Sequence, residues 1–270
     1  MSIGFGLLGP VELSARGRRA DPGPPQRRAL LSVLLLASGR AVTVATLRER
    51  IWSGTPPTSA TGAIHLHVHH LRTLLLSLIP PGAGSDAGPQ LLTHPGRPSL
   101  QVSYALEVAD GRLDVTRFRR LLSEGALARA RGDTVLALDR FDSALALWRG
   151  DPMPELRPTE FIRNARLNLC DMRADASRQR AECLLANGLL AAARDELSQL
   201  YVERPYDERV VILLSTALLR TGADGQALRL VTDALQRWQR EHGLLPHALR
   251  RQRDRLMSGE MPHSPSEAAS

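Results

Sequence analysis

A segment in the second half of the chain resembles itself when it is shifted by 34 residues. Small and apolar residues recur in both copies: Leu184 with Leu218, Leu185 with Leu219, Gly188 with Gly222, Ala193 with Ala227 and Leu197 with Val231. The glycine of each copy marks the end of one helix, and the alanine marks a close crossing of two helices. The repeat therefore predicts a pair of helices that is stacked on its own copy.

A helical pattern extends over most of the chain after about residue 112. A period of 34 residues is typical of tetratricopeptide repeats, in which each helix pair buries its apolar face against the next pair. A less regular unit precedes the repeat at 128–150, and Pro205 closes one unit. We therefore predict an all-α domain at 105–257, and the polar composition of 258–270 predicts a disordered tail.

The first third of the chain combines short strand-like segments with helical ones. Residues 3–22 contain two strand-like segments and a turn, and 26–37 are apolar almost all round, as in a central buried helix. The segment 91–103 is typical of a hairpin with Arg97 at its turn. With two further helices between these elements, we predict a winged helix-turn-helix at 1–104, in a fold that is mainly α.

Thr43 begins the second helix of this predicted domain. Its hydroxyl can cap the helix, because the residues that follow have a helical period. Val44, Leu47 and Ile51 fall on one face of that helix. We therefore expect this face to be buried.

The third helix contains four histidines within six residues, in the stretch AIHLHVHHLR at 63–72. Alternating histidines are what a strand would show if it turned every imidazole to one face, as in some metal sites. Apolar residues nevertheless recur at intervals of four, three, four and three: Ile64, Val68, Leu71, Leu75 and Leu78. Because the helical period is much longer than the alternation, we predict a recognition helix at 59–78, with Thr58 or Ser59 as its N-cap.

On that helix, Thr61, His65, His69 and Arg72 form a polar stripe opposite the apolar one. His67 and His70 flank the edge of the apolar stripe. His65 and His69 have the spacing of two metal ligands, but no cysteine or acid nearby completes a tetrahedral set. A solvated helix face is a second interpretation. The third, which we favour, is a DNA-facing stripe, because histidine can donate to or accept from base edges and Arg72 can bind guanine O6 and N7. We accordingly expect no metal and no other cofactor.

Positive charge is concentrated at the N-terminal end. All 35 basic side chains are arginines, and residues 1–79 carry nine of them against three acids, a net +6 of the formal +7. This imbalance is typical of a polyanion-binding module joined to a protein-binding one, although a merely solvated surface has the same composition. Candidate phosphate contacts are arginines and helix ends, namely Arg27, Arg28, Thr43, Ser59 and Arg97.

Several other classes of function lack support in the sequence. No nucleophile, base and orienting group are recognisable together, so we expect no enzyme. The glycines of GFGLLG match the dinucleotide fingerprint formally, but Pro10 and strand-like sequence follow where that motif needs a helix. Cys170 and Cys183, if on one helix, lie about 20 Å apart, beyond disulfide reach. Apolar runs fall below the roughly 20 residues of a membrane span, and we expect a cytoplasmic protein.

In the order and spacing of its motifs, the chain resembles the Streptomyces antibiotic regulatory protein (SARP) family of actinobacterial transcriptional activators. The matching segments are FGLLGPVEL, QRRALLSVLLLASGRAVTVATLRERIW, PPTSATGAIHLHVHHLR, LDVTRF, ALALWRG, RPYDERV and EHGLLPHALRRQRDRL. The likeness extends over roughly residues 3–257.

The resemblance implies an OmpR-type winged helix that binds direct repeats in promoter DNA, followed by a bacterial transcriptional activation domain of tetratricopeptide-like helices. It further implies assembly of protomers on DNA and recruitment of RNA polymerase to secondary-metabolite genes. Where family members commonly have Gln, Tyr or His, Ser and Arg, this chain has His65, His67, His69 and His70. We therefore expect a different base preference. The alternative from another class is a tetratricopeptide scaffold whose winged helix binds proteins instead of DNA.

Overall fold

The computed structural model describes residues 3–79, 88–95 and 102–258. It divides into two compact units, Met1–Arg120 with Ala146–Met172 and Leu121–Leu145 with Arg173–Ser270. Most described residues are helical and the described strands all precede residue 108, which confirms the mainly α fold. These units divide the chain differently from the boundary predicted after residue 104, because two long helices each contribute to both.

Three short strands begin the first unit: β1 Ile3–Gly6, β2 Glu12–Ala15 and β3 Arg18–Ala20. They form an antiparallel sheet in that order, with Phe5 opposite Leu13. Gly17, in the turn between β2 and β3, has a φ of 72°, which glycine adopts readily. The strands predicted within 3–22 are thus confirmed.

The loop after β1 is held by the carboxylate of Asp114. Its Oδ1 accepts from the backbone N–H of Leu7 (2.8 Å), its Oδ2 from that of Leu8 (2.9 Å), and Arg149 also donates to Oδ2 (3.1 Å). Burial raises the pKa of Asp114 above its usual 3.8, although these hydrogen bonds oppose that effect. The loop leads into β2 and not into a helix, so GFGLLG is not a dinucleotide-binding motif.

Three helices form the centre of the first unit: α1 Pro25–Leu36, α2 Val44–Trp52 and α3 Ala60–Leu78. Each of them packs against the other two. Every residue of α1 from Leu30 to Leu35 is buried, which confirms the predicted central helix. Proline occupies the first turn of α1, where the missing N–H has no intrahelical partner to lose.

A second sheet combines two strands that follow α3 in the sequence with one that lies between α1 and α2. The hairpin strands β5 Gln90–His94 and β6 Ser103–Glu107 pair with each other, and the two-residue strand β4 Val42–Thr43 pairs with β6. Strands, three helices and a terminal hairpin are the elements of a winged helix-turn-helix, as predicted. The turn of the hairpin, including Arg97, lies outside the described residues.

The second unit is entirely helical in its described part. Two helices also contribute to the first unit, α4 Asp114–Ala130 and α6 Glu160–Ala186. The others are α5 Thr134–Leu145, α7 Leu190–Glu203, α8 Glu208–Arg220, α9 Asp224–His242 and α10 His247–Ser258. The predicted tail lies almost entirely outside the described residues.

The 34-residue repeat corresponds to two helix pairs with the same turn. Gly188 and Gly222 have φ values of 75° and 76° and follow α6 and α8. The next backbone N–H in each copy donates over 2.9 Å, from Leu189 to the carbonyl of Leu184 and from Ala223 to that of Leu218. The paired positions Ala193 with Ala227, and Leu197 with Val231, are all fully buried. The helix-pair prediction is therefore confirmed.

Both cysteines lie on α6 and neither forms a disulfide, as their spacing predicts. Burial raises the pKa of Cys183 to about 11, so its thiol stays protonated at neutral pH. Among the described helices, none is both long and apolar enough to cross a bilayer.

Candidate nucleic-acid interface

Helix α3 has one buried face and one exposed face. Ala60, Ile64, Val68, Leu71 and Leu75 are buried in the first unit. Thr61, His65 and His69 are exposed, while His67, His70 and Arg72 are partly buried at the edges. The helix, its period and the division of the four histidines between two sides are therefore as predicted. The exposed face also carries Gly62, Leu66 and Thr73, which a search for polar residues alone overlooked.

His65 is oriented by a residue of the hairpin. Its Nδ1 lies 2.6 Å from the phenol oxygen of Tyr104 on β6, and the two rings meet edge to face. Burial raises the pKa of the Tyr104 phenol above its usual 10, although Arg72 opposes this. The phenol therefore stays protonated, and it can donate to Nδ1 of a neutral imidazole. In that tautomer Nε2 carries the proton and is a donor.

Arg72 contacts the hairpin as well. Its Nε donates to the carbonyl of Leu91 (2.9 Å) and its Nη2 to Oγ1 of Thr93 (2.5 Å), both on β5. The guanidinium thus lies between α3 and the hairpin of β5 and β6, which is the wing of the winged helix. The structure brings Arg72 close to the polar stripe but directs two of its donors to the protein.

Arg27, the first candidate phosphate contact, lies beside two histidines of α3. Its Nη2 is 2.8 Å from Nδ1 of His70, which must be the acceptor because a guanidinium only donates. Nδ1 of His67 is buried without a hydrogen-bond partner among the described residues. Burial lowers the pKa of His67 below its usual 6.5, and the charges of Arg27 and His70 lower it further. The neutral form of His67 is therefore favoured.

Arg28 is engaged within the first unit. It donates to the carbonyl of Gly23 (2.7 Å) and pairs with Asp21 (2.8 Å) and Glu155 (3.5 Å). Its side chain remains partly exposed, so a phosphate would compete with two carboxylates for it. This pairing was not predictable from local sequence, since Glu155 lies 127 residues away.

Two candidate residues stand at helix N-termini. Thr43 caps α2, because its Oγ1 accepts from the backbone N–H of Thr46 over 3.2 Å. Ser59, one of the two predicted residues, occupies the N-cap of α3, but its side chain does not make the capping hydrogen bond that was expected. The hydroxyl of Ser59 lies on an exposed residue at the positive end of the helix dipole.

The metal interpretation gains nothing from the geometry. Among the described residues, no group of three or more His, Cys, Asp or Glu side chains is arranged to hold a metal ion. His65 and His69 are bounded on the exposed face by Thr61, Leu66 and Thr73, none of which is a typical zinc ligand.

Comparison with known proteins places the chain in a family. The model of the bacterial transcriptional activator domain matches residues 113–256, more than half of the chain. The transcriptional regulator RedD of Streptomyces coelicolor is 30% identical over 251 residues, which cover 93% of this chain and 69% of RedD. The chain belongs to the SARP family of transcriptional activators. The resemblance seen in the sequence is thereby confirmed.

Other SARP-type relatives are longer than this chain. The regulatory protein AfsR of Streptomyces coelicolor is 32% identical over 246 residues, 91% of this chain but only 23% of AfsR. A solved structure of EmbR from Mycobacterium tuberculosis, in complex with a low affinity phosphopeptide, superposes with a TM-score of 0.85 at 28% identity. It matches 98% of this chain and 68% of the EmbR chain. EmbR is a transcriptional regulatory protein and RedD a transcriptional regulator.

Proposed function

We propose that the chain is a sequence-specific DNA-binding transcriptional activator that inserts α3 into the major groove. The observation that carries this proposal is the two-sided character of α3. One side is buried against α1 and α2, and the other presents Thr61, His65 and His69 beside the wing hairpin. A helix held in this way can lie in the groove without unfolding the domain behind it.

In this proposal the base-facing residues are Thr61, His65, His69 and Arg72. With Nδ1 engaged by Tyr104, His65 offers an Nε2 donor, which suits guanine N7 or O6 and thymine O4. Arg72 reaches guanine or a phosphate with the donors that its two bonds to β5 leave over. The hydrogen bonds of His65 and Arg72 with the wing strands hold both side chains in place before DNA binds.

Phosphates are bound by Arg27, Arg28, Thr43, Ser59 and the wing residue Arg97. Helix N-termini at Thr43 and Ser59 favour anions through their free N–H groups and the helix dipole. Arg28 is the weakest of these candidates, because its charge is already shared by Asp21 and Glu155.

The targets proposed are promoters of secondary-metabolite genes that contain direct repeats. Copies of the chain on repeats separated by about one helical turn face the same side of the DNA. The helical unit then contacts neighbouring protomers and RNA polymerase in the cytoplasm. This part of the proposal rests on membership of the SARP family.

A gel-shift experiment tests DNA binding. Purified protein is mixed with the promoter fragments that flank its own gene, at low and at raised salt. We expect a fragment to be retained and then lost as salt rises, because phosphate contacts release counterions. If every fragment migrates freely even at low salt, the activator proposal fails and the scaffold alternative takes its place.

The double variant His65→Ala with Arg72→Ala tests the role of the polar stripe in base recognition. Unchanged affinity and unchanged base preference would remove the polar stripe from the mechanism.

Spacing of the repeats tests the assembly. Duplexes with two copies of the bound element are compared at about 10.5 base pairs between centres and at about 16, which turns the second copy to the opposite side. We expect cooperative binding, and transcription by added polymerase, only at the first spacing. Equal cooperativity at both spacings would contradict the proposed arrangement on direct repeats.

A further inference from the structure

Two residues without polar side chains lie in the middle of the proposed DNA-facing surface. Gly62 and Leu66 are one helical turn apart, and each is next in sequence to a residue of the polar stripe, Thr61 and His65. Both are exposed, and 53% of the surface of Leu66 is accessible. Neither contributes to the buried face of α3, which consists of other residues.

The glycine has no explanation within the fold of the protein. It lies inside the first turn of α3, with a helical backbone that any residue can adopt. A Cβ atom added at Gly62 would meet no atom of the described chain within 4 Å. Glycine also weakens an exposed helix relative to alanine. This glycine lowers helix stability and has no role in the packing of the protein. A close approach of another molecule to the helix backbone would explain its presence.

The leucine places an aliphatic side chain on this exposed face of the helix. In the major groove, the C5-methyl of thymine is the group against which an aliphatic side chain can pack favourably. The other bases present donors and acceptors there, which suit His65 and His69 but not Leu66. The position of Leu66 between those two histidines puts it over the same few base pairs.

We propose that Gly62 and Leu66 form a thymine-reading site on α3. The missing side chain at Gly62 lets the helix backbone come close to the groove floor, and Leu66 then packs against a thymine methyl group. This inference rests on the proposed insertion of α3 into the major groove and adds to it the identity of a base that is read.

Replacement of thymine by deoxyuridine tests this directly, because it removes the methyl group and leaves base pairing intact. A duplex selected by the wild-type protein from a random-sequence pool is resynthesised with one thymine replaced at a time. We expect one replacement per bound element to weaken binding about fourfold, the effect of uncovering one methyl group. Leu66→Ala should bind the thymine and deoxyuridine duplexes equally well.

Leu76→Ala is the matched control. Leu76 lies on the same helix and is 67% exposed, but it is ten residues, about 15 Å along the helix axis, from Leu66. This variant should keep the wild-type preference for thymine over deoxyuridine. If Leu66→Ala and Leu76→Ala both keep that preference, or if no single replacement weakens wild-type binding, the thymine site is disproved while the DNA-binding proposal stands.

Gly62→Ala tests the close approach, because it should raise the stability of the protein and lower its affinity for DNA. The added methyl group strengthens the helix and should raise the midpoint of thermal unfolding, because it has open space in the free protein. The same variant should bind the selected duplex at least tenfold more weakly. Unchanged affinity would overturn the role of Gly62. If the wild type retains no duplex from the pool, the proposed function itself fails and this inference with it.

Discussion

His65 and Tyr104 are joined by a hydrogen bond of 2.6 Å between the imidazole Nδ1 and the phenol oxygen, across 39 residues of sequence. The histidine belongs to the exposed face of α3 and the tyrosine to the buried strand β6. A base-reading residue that is fixed by the wing loses less conformational freedom on binding than one that is free to rotate.

Tyr104→Phe removes only the oxygen of this contact. We expect DNA affinity to fall about three- to tenfold and the preference at the base pair read by His65 to broaden, since the imidazole is no longer held in one orientation. Fluorescence anisotropy with the bound duplex and its single-base variants measures both. His65→Ala should have a similar effect, and the double variant should add little to it. Full additivity of the two substitutions would show that Tyr104 does not act through His65.

Arg27→Ala should weaken binding to all sequences alike. If Arg27 contacts a phosphate, its loss lowers the slope of log affinity against log salt by about one unit. Arg194→Ala provides the control, because Arg194 is a partly exposed arginine of the helical unit that pairs with Asp195. That control should leave the slope unchanged. A change of base preference without a change of slope would contradict the phosphate contact.

The surroundings of His67 predict a dependence of stability on pH. Its pKa in the folded protein is lowered from 6.5, so the unfolded chain takes up the proton first as pH falls. Its contribution to stability is complete above about pH 6.5 and is lost as pH falls toward the lowered pKa. We expect His67→Gln to reduce the slope of unfolding free energy against pH between about 7 and 5, by less than about 1.4 kcal/mol per pH unit, the limit for one proton. Urea titrations across this range measure it, and parallel slopes for variant and wild type would refute the assignment.

Local features of the sequence predicted the helices and the wing well, because helices and hairpins depend on residues that are close in sequence. The period of apolar residues located the buried face of α3, and the hydroxyl of Thr43 located the start of α2. The orientation of the polar side chains was not predictable in this way. Arg72 is turned toward β5 and Arg28 toward Glu155 by partners that are distant in sequence. Gly62 and Leu66 were overlooked for a different reason, because neither has a polar side chain that marks it as a base-contacting residue.

A buried carboxylate in the helical unit should contribute more to the unfolding free energy than an exposed ion pair does. Glu182 accepts hydrogen bonds from Arg129, Arg178 and Arg209, and its own side chain is only 8% exposed. Glu182→Gln leaves three guanidinium groups facing one neutral amide. We expect a loss of about 1–3 kcal/mol in unfolding free energy, less than for a fully buried pair because the arginines are partly solvated.

Asp195→Asn is the comparison for that substitution. Asp195 is exposed and pairs with Arg194, so the expected loss is below about 1 kcal/mol. Urea unfolding followed by far-ultraviolet circular dichroism gives both values. If Glu182→Gln is no more destabilising than Asp195→Asn, the arginines around Glu182 do not depend on its charge.

Two glycines inside helices of the helical unit should respond in opposite directions to alanine. A Cβ atom at Gly125 on α4 would lie 2.8 Å from Cε1 of Phe141, a fully buried ring that has no room to move. At Gly225 on α9 the nearest atom is the end of the Arg229 side chain, at an ordinary contact distance of 3.5 Å. We expect Gly125→Ala to lower the unfolding free energy by about 1–2 kcal/mol and Gly225→Ala to raise it by up to about 1 kcal/mol, because only the second gains helix propensity without strain. Thermal unfolding of the two variants beside the wild type measures the difference. If Gly125→Ala also raised the unfolding free energy, α4 and α5 would have to separate easily enough to admit the methyl group.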